Sequence, residues 1–498
     1  MRSILIAFIL VLSSIASFAN FSFNKNCRKA YEQMMIFDFV NAQKTLYIEK
    51  QIHPDNRVPD YISTYILFWK AALNEEEADM DYYEDKVDNL IDEIEDDPQE
   101  SAYKSFFLSD IYLRGAYIKA MQTSYMSAAY KFNKAYNLVQ KNKKKYPNFI
   151  PNKKLIGLMN VGIGTVPDKY TWVLDLFNFE GNIKEGLKEL KGLLMVASKN
   201  DDYHYLMSES LLLYSFTMEN FEVSQSSVNE LLDIYEWEII KKELPSNQFM
   251  IFSKASFLKH IKRTDAAIEC IQNNKTVKGA MHFYYLDYML GGCLINKMDM
   301  SAADYLKKYV NEYHGNSYRR SACQKLAWTY LLQGETSAYQ SQISKCLTFG
   351  NDNRDSDRQA TKEAEREAVP NKLLLSARLL FDGGYYEKAI VALKKCNTTF
   401  FSKREQLEYI YRYARVYDEF GQQDLAISYY RKCIGQGENE SYYFAANSAL
   451  HLGYIYEKQG NIIEARKMFE KCLDMDFDEY RDGIEQKAKA ALERVGDE

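Results

Sequence analysis

Along the last third of the chain, apolar and small residues return in one order and at one spacing. Ala449, Leu452, Gly453 and Tyr456 follow one another at helical steps, Gly460 interrupts the run, and Ala465, Phe469 and Cys472 resume it. Steps of three and four residues put side chains on one face of an α-helix, whereas a strand would alternate. The run therefore predicts two amphipathic helices joined by a glycine turn. One unit earlier the order recurs at Ile410, Tyr413, Ala414, Tyr417, Gly421, Ala426, Tyr430 and Cys433, displaced by 465 - 426 = 39 residues. Leu373, Ala377, Leu380, Gly384, Ala389, Leu393 and Cys396 form a third unit, offset by 426 - 389 = 37 residues. A looser fourth set runs Cys323, Leu326, Ala327, Tyr330, Gly334, Ile343 and Cys346, with Tyr339 where the others carry alanine.

Helix pairs of about 34 residues, with small residues where helices cross and larger apolar ones between them, characterise tetratricopeptide repeats. A small residue at the crossing lets two helix axes approach, and a ring one or two turns away fills the groove. The expected fold is all-α, a tetratricopeptide-like α-solenoid of antiparallel helix pairs. Fragments of the pattern persist upstream at Ala255, Leu258 and Ala267, at Ala128, Phe132 and Ala135, and at Ala30, Ala42, Leu46 and Pro54. The chain divides by pattern into residues 1–19, an N-terminal helical region 20–150, a central helical region 151–350 with a Gly/Pro-marked segment at 155–187, and the repeats of 370–498. The polar run from Asn351 to Arg358 reads as an exposed loop leading into a helix over Ala364 to Val369. In the acidic stretch from Glu75 to Glu100, Val87, Leu90, Ile91 and Ile94 mark a helix with one solvated face.

Composition agrees with helix: prolines number 8 and glycines 22 in 498 residues, while 40 tyrosines suit the surfaces of stacked helices. The formal charge of -6 is spread along the chain, without the basic footprint of a nucleic-acid binder. The N-terminus changes the picture more. Met1-Arg2, an apolar stretch from Ile4 to Ile15 and the small-x-small Ser17-Phe18-Ala19 have the form of a secretory signal peptide. Asn24-Lys25-Asn26 before Cys27 does not fit a lipoprotein anchor, and no later segment is apolar enough to span a bilayer. The expected product is an exported protein of the bacterial envelope, periplasmic or extracytoplasmic.

Gly157-Leu158-Met159-Asn160-Val161-Gly162-Ile163-Gly164, then Pro167, Leu174-Asp175-Leu176, Phe179, Gly181 and Gly186-Leu187, differ from ordinary repeat sequence. This segment resembles the central signature of the tetratricopeptide-repeat protein 39 (inclusion-body clearance) family. The resemblance implies a helical-repeat fold and an adaptor role without catalysis. An export signal departs from that family, whose members are intracellular.

Candidate chemistry is sparse. Gly162-x-Gly164 lacks the further glycine and the βαβ setting of a nucleotide loop, and reads as helix-packing glycine. Asp474, Asp476, Asp478 and Glu485 have the spacing of a calcium loop, but Glu479 stands where the loop needs glycine. The 6 histidines show no metal-ligand spacing, so neither metal nor cofactor is expected. Among the 8 cysteines, Cys346, Cys396, Cys433 and Cys472 occupy one small-residue slot of successive second helices and are expected as free thiols. A hydrolase is disfavoured for want of a nucleophile elbow or interpretable carboxylate pair. What remains is a binding groove along the first helices, for which Trp328, Arg378, Tyr411, Arg415 and Tyr454 are the candidate contacts, with Gln324 beside them. Arginine and aromatic side chains carry interface energy. The function expected is an exported, non-catalytic scaffold for an unidentified protein or peptide, with a glycan- or nutrient-binding envelope protein as the alternative. Secretion by a bacterial host should release a chain starting at Asn20, 498 - 19 = 479 residues long. Intact-mass measurement checks this, and retention of Met1 would contradict it.

Overall fold

The structure is a computed structural model that describes residues 20–166, 171–221, 224–275, 277–366 and 368–496. The expected signal peptide and Pro167 lie outside the described residues. Among the described residues, regular structure is entirely helical. The chain forms two compact units. The first runs to Ile261 and takes in Glu269–Phe283; the second comprises Lys262–Ile268 and Tyr284–Glu498. This division falls inside the stretch 151–350 that the pattern groups as one region.

Helices of the first unit are α1 (Lys25–Met35), α2 (Phe39–Ile52), α3 (Val58–Asn74), α4 (Glu77–Glu95), α5 (Ala102–Met121), α6 (Tyr125–Lys145), α7 (Asn152–Gly164), α8 (Thr171–Phe177), α9 (Ile183–Ala197), α10 (Met207–Phe221), α11 (Gln225–Tyr235), α12 (Glu238–Glu243) and α13 (Gln248–His260). After α14 (Thr264–Gln272) the second unit continues with α15 (Tyr284–Asn296), α16 (Ala302–Glu312), α17 (Arg319–Gln333), α18 (Thr336–Lys345), α19 (Asp355–Glu365), α20 (Lys372–Asp382), α21 (Tyr386–Lys394), α22 (Lys403–Glu419), α23 (Gln423–Gly437), α24 (Tyr443–Lys458), α25 (Ile462–Asp474) and α26 (Arg481–Val495).

The four repeats of the sequence pattern become α17–α18, α20–α21, α22–α23 and α24–α25. Their turn glycines, Gly334, Gly384, Gly421 and Gly460, all have positive φ, between 75° and 91°. An L-residue with a side chain reaches this region only with strain, whereas glycine ends a helix there freely. Entry is signalled as well. The Ser402 hydroxyl accepts from the Glu405 N–H while the Glu405 carboxylate accepts from the Ser402 N–H, a capping box at the start of α22.

Close crossing explains the alanine and glycine positions. Ala414, Ala426, Ala449 and Ala465 are all fully buried in the core shared by α22 to α26, beside Tyr430, Phe469, Cys433 and Cys472. Gly453 is the tightest point: a Cβ there would lie 2.4 Å from a ring carbon of Phe469. Of the four cysteines in the repeat slot, Cys346, Cys433 and Cys472 are buried free thiols and Cys396 a half-buried one. Burial pushes the Cys433 and Cys472 thiols up to about 12, so they are packing groups, not nucleophiles. The last helix, α26, covers the end of the stack with Ile484, Ala488 and Ala491.

The polar run 351–358 departs from its expected form. Helix α19 starts at Asp355 and ends before the expected Ala364 to Val369 helix would be complete. Asp357 is fully buried. Its carboxylate accepts from the backbone N–H of Tyr318 at 2.7 Å and of Ser321 at 2.9 Å, so a residue 36 positions downstream of Ser321 caps α17. Polarity misleads here because the charge serves the backbone of another helix.

Replacing Gly453 by Ala should destabilise the second unit by about 1–3 kcal/mol, the usual cost of overpacking. Gly435→Ala, at a site on α23 with nothing within 4 Å of the added Cβ, should instead stabilise by about 0.5–1 kcal/mol through helix propensity. Urea titration of both variants reads the two signs.

Candidate partner-binding cleft

The first helices of the repeats, with α19, enclose a cleft of about 250 Å³ in the second unit. Helix α22 presents Arg404, Glu408 and Arg412 to it at successive i, i+4 steps, one face of one helix. Arg378 of α20 and Glu363 of α19 come from the neighbouring helices, and Tyr443, Phe444, Glu479 and Tyr480 complete the wall.

These groups hold one another in place. Glu479 accepts from Arg366 and from Arg404, each at 3.0 Å. Glu408 accepts from Arg412 at 2.9 Å, and that guanidinium also donates to the Tyr443 hydroxyl at 3.4 Å and lies 5.4 Å from the Tyr411 ring centroid. Arg378 donates to the Tyr480 hydroxyl at 3.4 Å and lies 5.4 Å from the Trp328 ring centroid. Deeper in, Glu363 accepts from Gln324 at 2.8 Å, from the Trp328 indole at 2.7 Å and from the Tyr339 hydroxyl at 3.0 Å.

Burial alone would raise the Glu408 carboxyl, but the charges of Arg412 and Arg378 outweigh it and hold the group below its ordinary value. For Arg404 burial acts downward, and the contact with Glu479 more than reverses it. Both stay ionised. Lining arginines (Arg366, Arg378, Arg404, Arg412) and lining carboxylates (Glu363, Glu405, Glu408, Glu479) are equal in number. Such a wall exerts little net field, and what it offers is the direction and spacing of its hydrogen-bonding groups.

Of the candidate contacts, Arg378 and the neighbouring Gln324 line this cleft. Trp328 is buried behind it with its N–H on Glu363. Tyr411 is buried and accepts from Asn447 at 2.6 Å. Arg415 and Tyr454 meet elsewhere, around His451. The Arg415 guanidinium lies against the imidazole ring, which stacks on Tyr430 at 6.0 Å and meets Tyr454 edge-on at 5.9 Å. Arg404, Glu408, Arg412 and Glu479 are the cleft residues the repeat pattern passes over. For Arg404, Glu408 and Arg412 the one sequence signal is the charged i, i+4 stripe on α22, which by itself reads as a solvated face. At the calcium-like spacing, Arg481 pairs with Asp476 and Glu485, each at 2.7 Å.

The tetratricopeptide repeat family pattern matches residues 407–436 and 446–479, which are the pairs α22–α23 and α24–α25. The C-terminal region is thus built from tetratricopeptide repeats. No curated protein matches the chain. Among solved structures the chain is similar to a monomeric mutant of IFIT1 with m7Gppp-AAAA, at 14% identity over 78% of this chain and 94% of that one, with a TM-score of 0.30. It is also similar to the Cut9-Hcn1 hetero-tetramer of APC/C, at 10% identity, 92% and 87% coverage and a TM-score of 0.27. The tetratricopeptide domain of P58(IPK) aligns at 15% identity, 88% and 100% coverage and a TM-score of 0.22. At such TM-scores these likenesses carry no argument about function.

Burial and the adjacent Arg415, with a smaller contribution from Lys487, drive the His451 imidazole well below its ordinary 6.5. The folded chain therefore keeps His451 neutral where the unfolded chain takes up a proton. Stability should fall as pH drops below about 6.5, by up to ~1.4 kcal/mol per pH unit from this group. His451→Gln should flatten that slope in denaturant titrations from pH 7 downward, and an unchanged slope would remove His451 as its source.

Proposed function

We propose that the protein is an exported, non-catalytic tetratricopeptide-repeat scaffold that holds an extended segment of a partner protein in the cleft along α20 and α22. One observation carries this reading: Arg378, Arg404 and Arg412 stand on adjacent first helices, each fixed by a carboxylate or phenol partner. Preorganised guanidinium groups match backbone carbonyls and carboxylates of an extended peptide at little further cost in side-chain entropy. The glycine-marked segment resembling the tetratricopeptide-repeat protein 39 family supports an adaptor role. The charge, apolar stretch and small-x-small pattern of residues 1–19 support export to a bacterial envelope. No helix among the described residues is long and apolar enough to cross a membrane.

A glycan occupant is the competing reading, favoured by the rings of Tyr443, Phe444 and Tyr480 in the wall. The test is affinity capture from envelope extract by native protein and by an Arg378→Ser/Arg404→Ser variant, with soluble glycan as competitor. The scaffold reading expects a defined protein partner, retained in the presence of glycan and reduced at least about tenfold by the double substitution, the equivalent of one lost charged hydrogen bond. Equal capture by the variant removes the cleft as the site, and retention of polysaccharide alone replaces the scaffold by a glycan binder.

A further inference from the structure

The first unit contains a larger cavity, about 610 Å³ and partly open to solvent, walled by α3, α5, α6, α7 and α10. That volume is in the range of small-molecule sites. Trp69, Leu113, Phe132, Leu158, Ile163 and Leu213 make the wall apolar. Small residues leave the space open: Ala116 and Ala120 on α5, Ala128 on α6 and Gly162 on α7. Gly162-x-Gly164, expected to be packing glycine throughout, is so only in part. A Cβ at Gly164 would meet Ile183 at 3.0 Å, whereas one at Gly162 would meet nothing within 4 Å.

Against this apolar wall, three formally charged side chains reach the cavity: Asp110, Arg114 and Glu209. All three are buried, at 2%, 4% and 4% exposure, as is Lys154 behind them at 1%. Lys154 lies 2.8 Å from Asp110 and 3.3 Å from Glu209. Asp110 also accepts from the Tyr61 hydroxyl at 2.8 Å and from Arg114 Nε at 2.9 Å. Glu209 accepts from the hydroxyls of Tyr31 and Tyr65. Two carboxylates and two cations cancel, and each carboxylate has three donors.

Arg114 is the member left incomplete. Its guanidinium lies over the Tyr65 ring, 4.3 Å from the centroid, and both terminal nitrogens, Nη1 and Nη2, are buried without a hydrogen-bond partner among the described residues. A buried charged donor is costly unless an acceptor meets it. The acceptors of Asp110 and Glu209 are already engaged by other donors, so no carboxylate among the described residues around the cavity is left to meet these nitrogens. A cationic head would face a guanidinium, a polyanion would bring more charged oxygens than the two unpartnered nitrogens can meet, and a plain hydrocarbon would leave Arg114 as it is. We propose that this cavity binds a long-chain monocarboxylate, its two oxygens accepting from Arg114 Nη1 and Nη2 and its alkyl chain lying against Trp69, Phe132 and Leu158. The site belongs to the first unit and does not depend on the function of the repeat cleft.

Calorimetric titration of the whole mature chain with dodecanoate, dodecanol and acetate tests the head and the tail separately. Dodecanoate should bind at least about tenfold tighter than dodecanol, the range of one charge-assisted interaction, and acetate should not bind measurably. Because loss of Arg114 strands Asp110 and could unfold the unit, the site is located with Gly162→Leu. That substitution favours helix α7 and projects into the cavity. It should leave the melting temperature equal or higher while weakening dodecanoate more than tenfold. Equal affinity for acid and alcohol overturns the role of Arg114. Native-like binding by Gly162→Leu, or no binding of dodecanoate to the native chain, overturns the site.

Discussion

Stacking of helix pairs here depends on one steric condition: at each crossing, one helix must present almost no side chain. Gly453 against the Phe469 ring and Gly186 against Val161, where an added Cβ would lie 2.6 Å from a side-chain carbon, are the same solution in the two units. Interiors are close-packed, so the space released by a small residue is taken by a partner of fitting shape. In the C-terminal repeats the partners are Tyr430 and Phe469, both fully buried. Cysteine at positions 433 and 472 is a size choice of the same kind.

The same condition produces the two concavities, by opposite routes. In the second unit the first helices converge with long side chains between them, and the gap is filled by arginines and carboxylates that pair with one another. Polar groups there define direction. In the first unit, small residues on α5, α6 and α7 face one another without a ring to fill the space, and the opening is lined with hydrocarbon. Its ionic groups are withdrawn to the floor, where burial in a low-dielectric setting makes each pairing strong and each omission costly. Burial acts to raise the Asp110 carboxyl, yet Lys154 and Arg114 hold it below its ordinary value. Asp110 therefore keeps its charge at depth, fixed by Lys154, Arg114 and the Tyr61 hydroxyl.

Helix pairs, their glycine turns and their crossing residues were legible because each is coded within a few residues. Ala449 to Tyr456 states a helical face by spacing, and Gly460 states the turn by its lack of a Cβ. The amphipathic α4 could be read in the same way from Val87, Leu90, Ile91 and Ile94, all buried. Legibility failed where a residue serves a distant element. Asp357 reads as part of an exposed polar run, yet it caps α17. Ala128 and Phe132 read as repeat packing, yet they border the cavity.

Candidate-site residues divide on the same line. The repeat pattern points to first helices, and the cleft is on first helices. It could not tell which stripe of α22 faces inward, since Tyr411 and Arg415 differ from Arg404, Glu408 and Arg412 only by rotation about the helix axis. The sequence by itself determined the helices, their pairing and the small residues that let them cross, because these follow from periodicity and side-chain volume within one repeat. Only the tertiary structure decided which stripe lines the cleft and that Asp110, Lys154 and Glu209 share one buried floor. Such groups lie 44 and 55 residues apart (154 - 110 and 209 - 154), and charges interact through distances in space that no local spacing encodes.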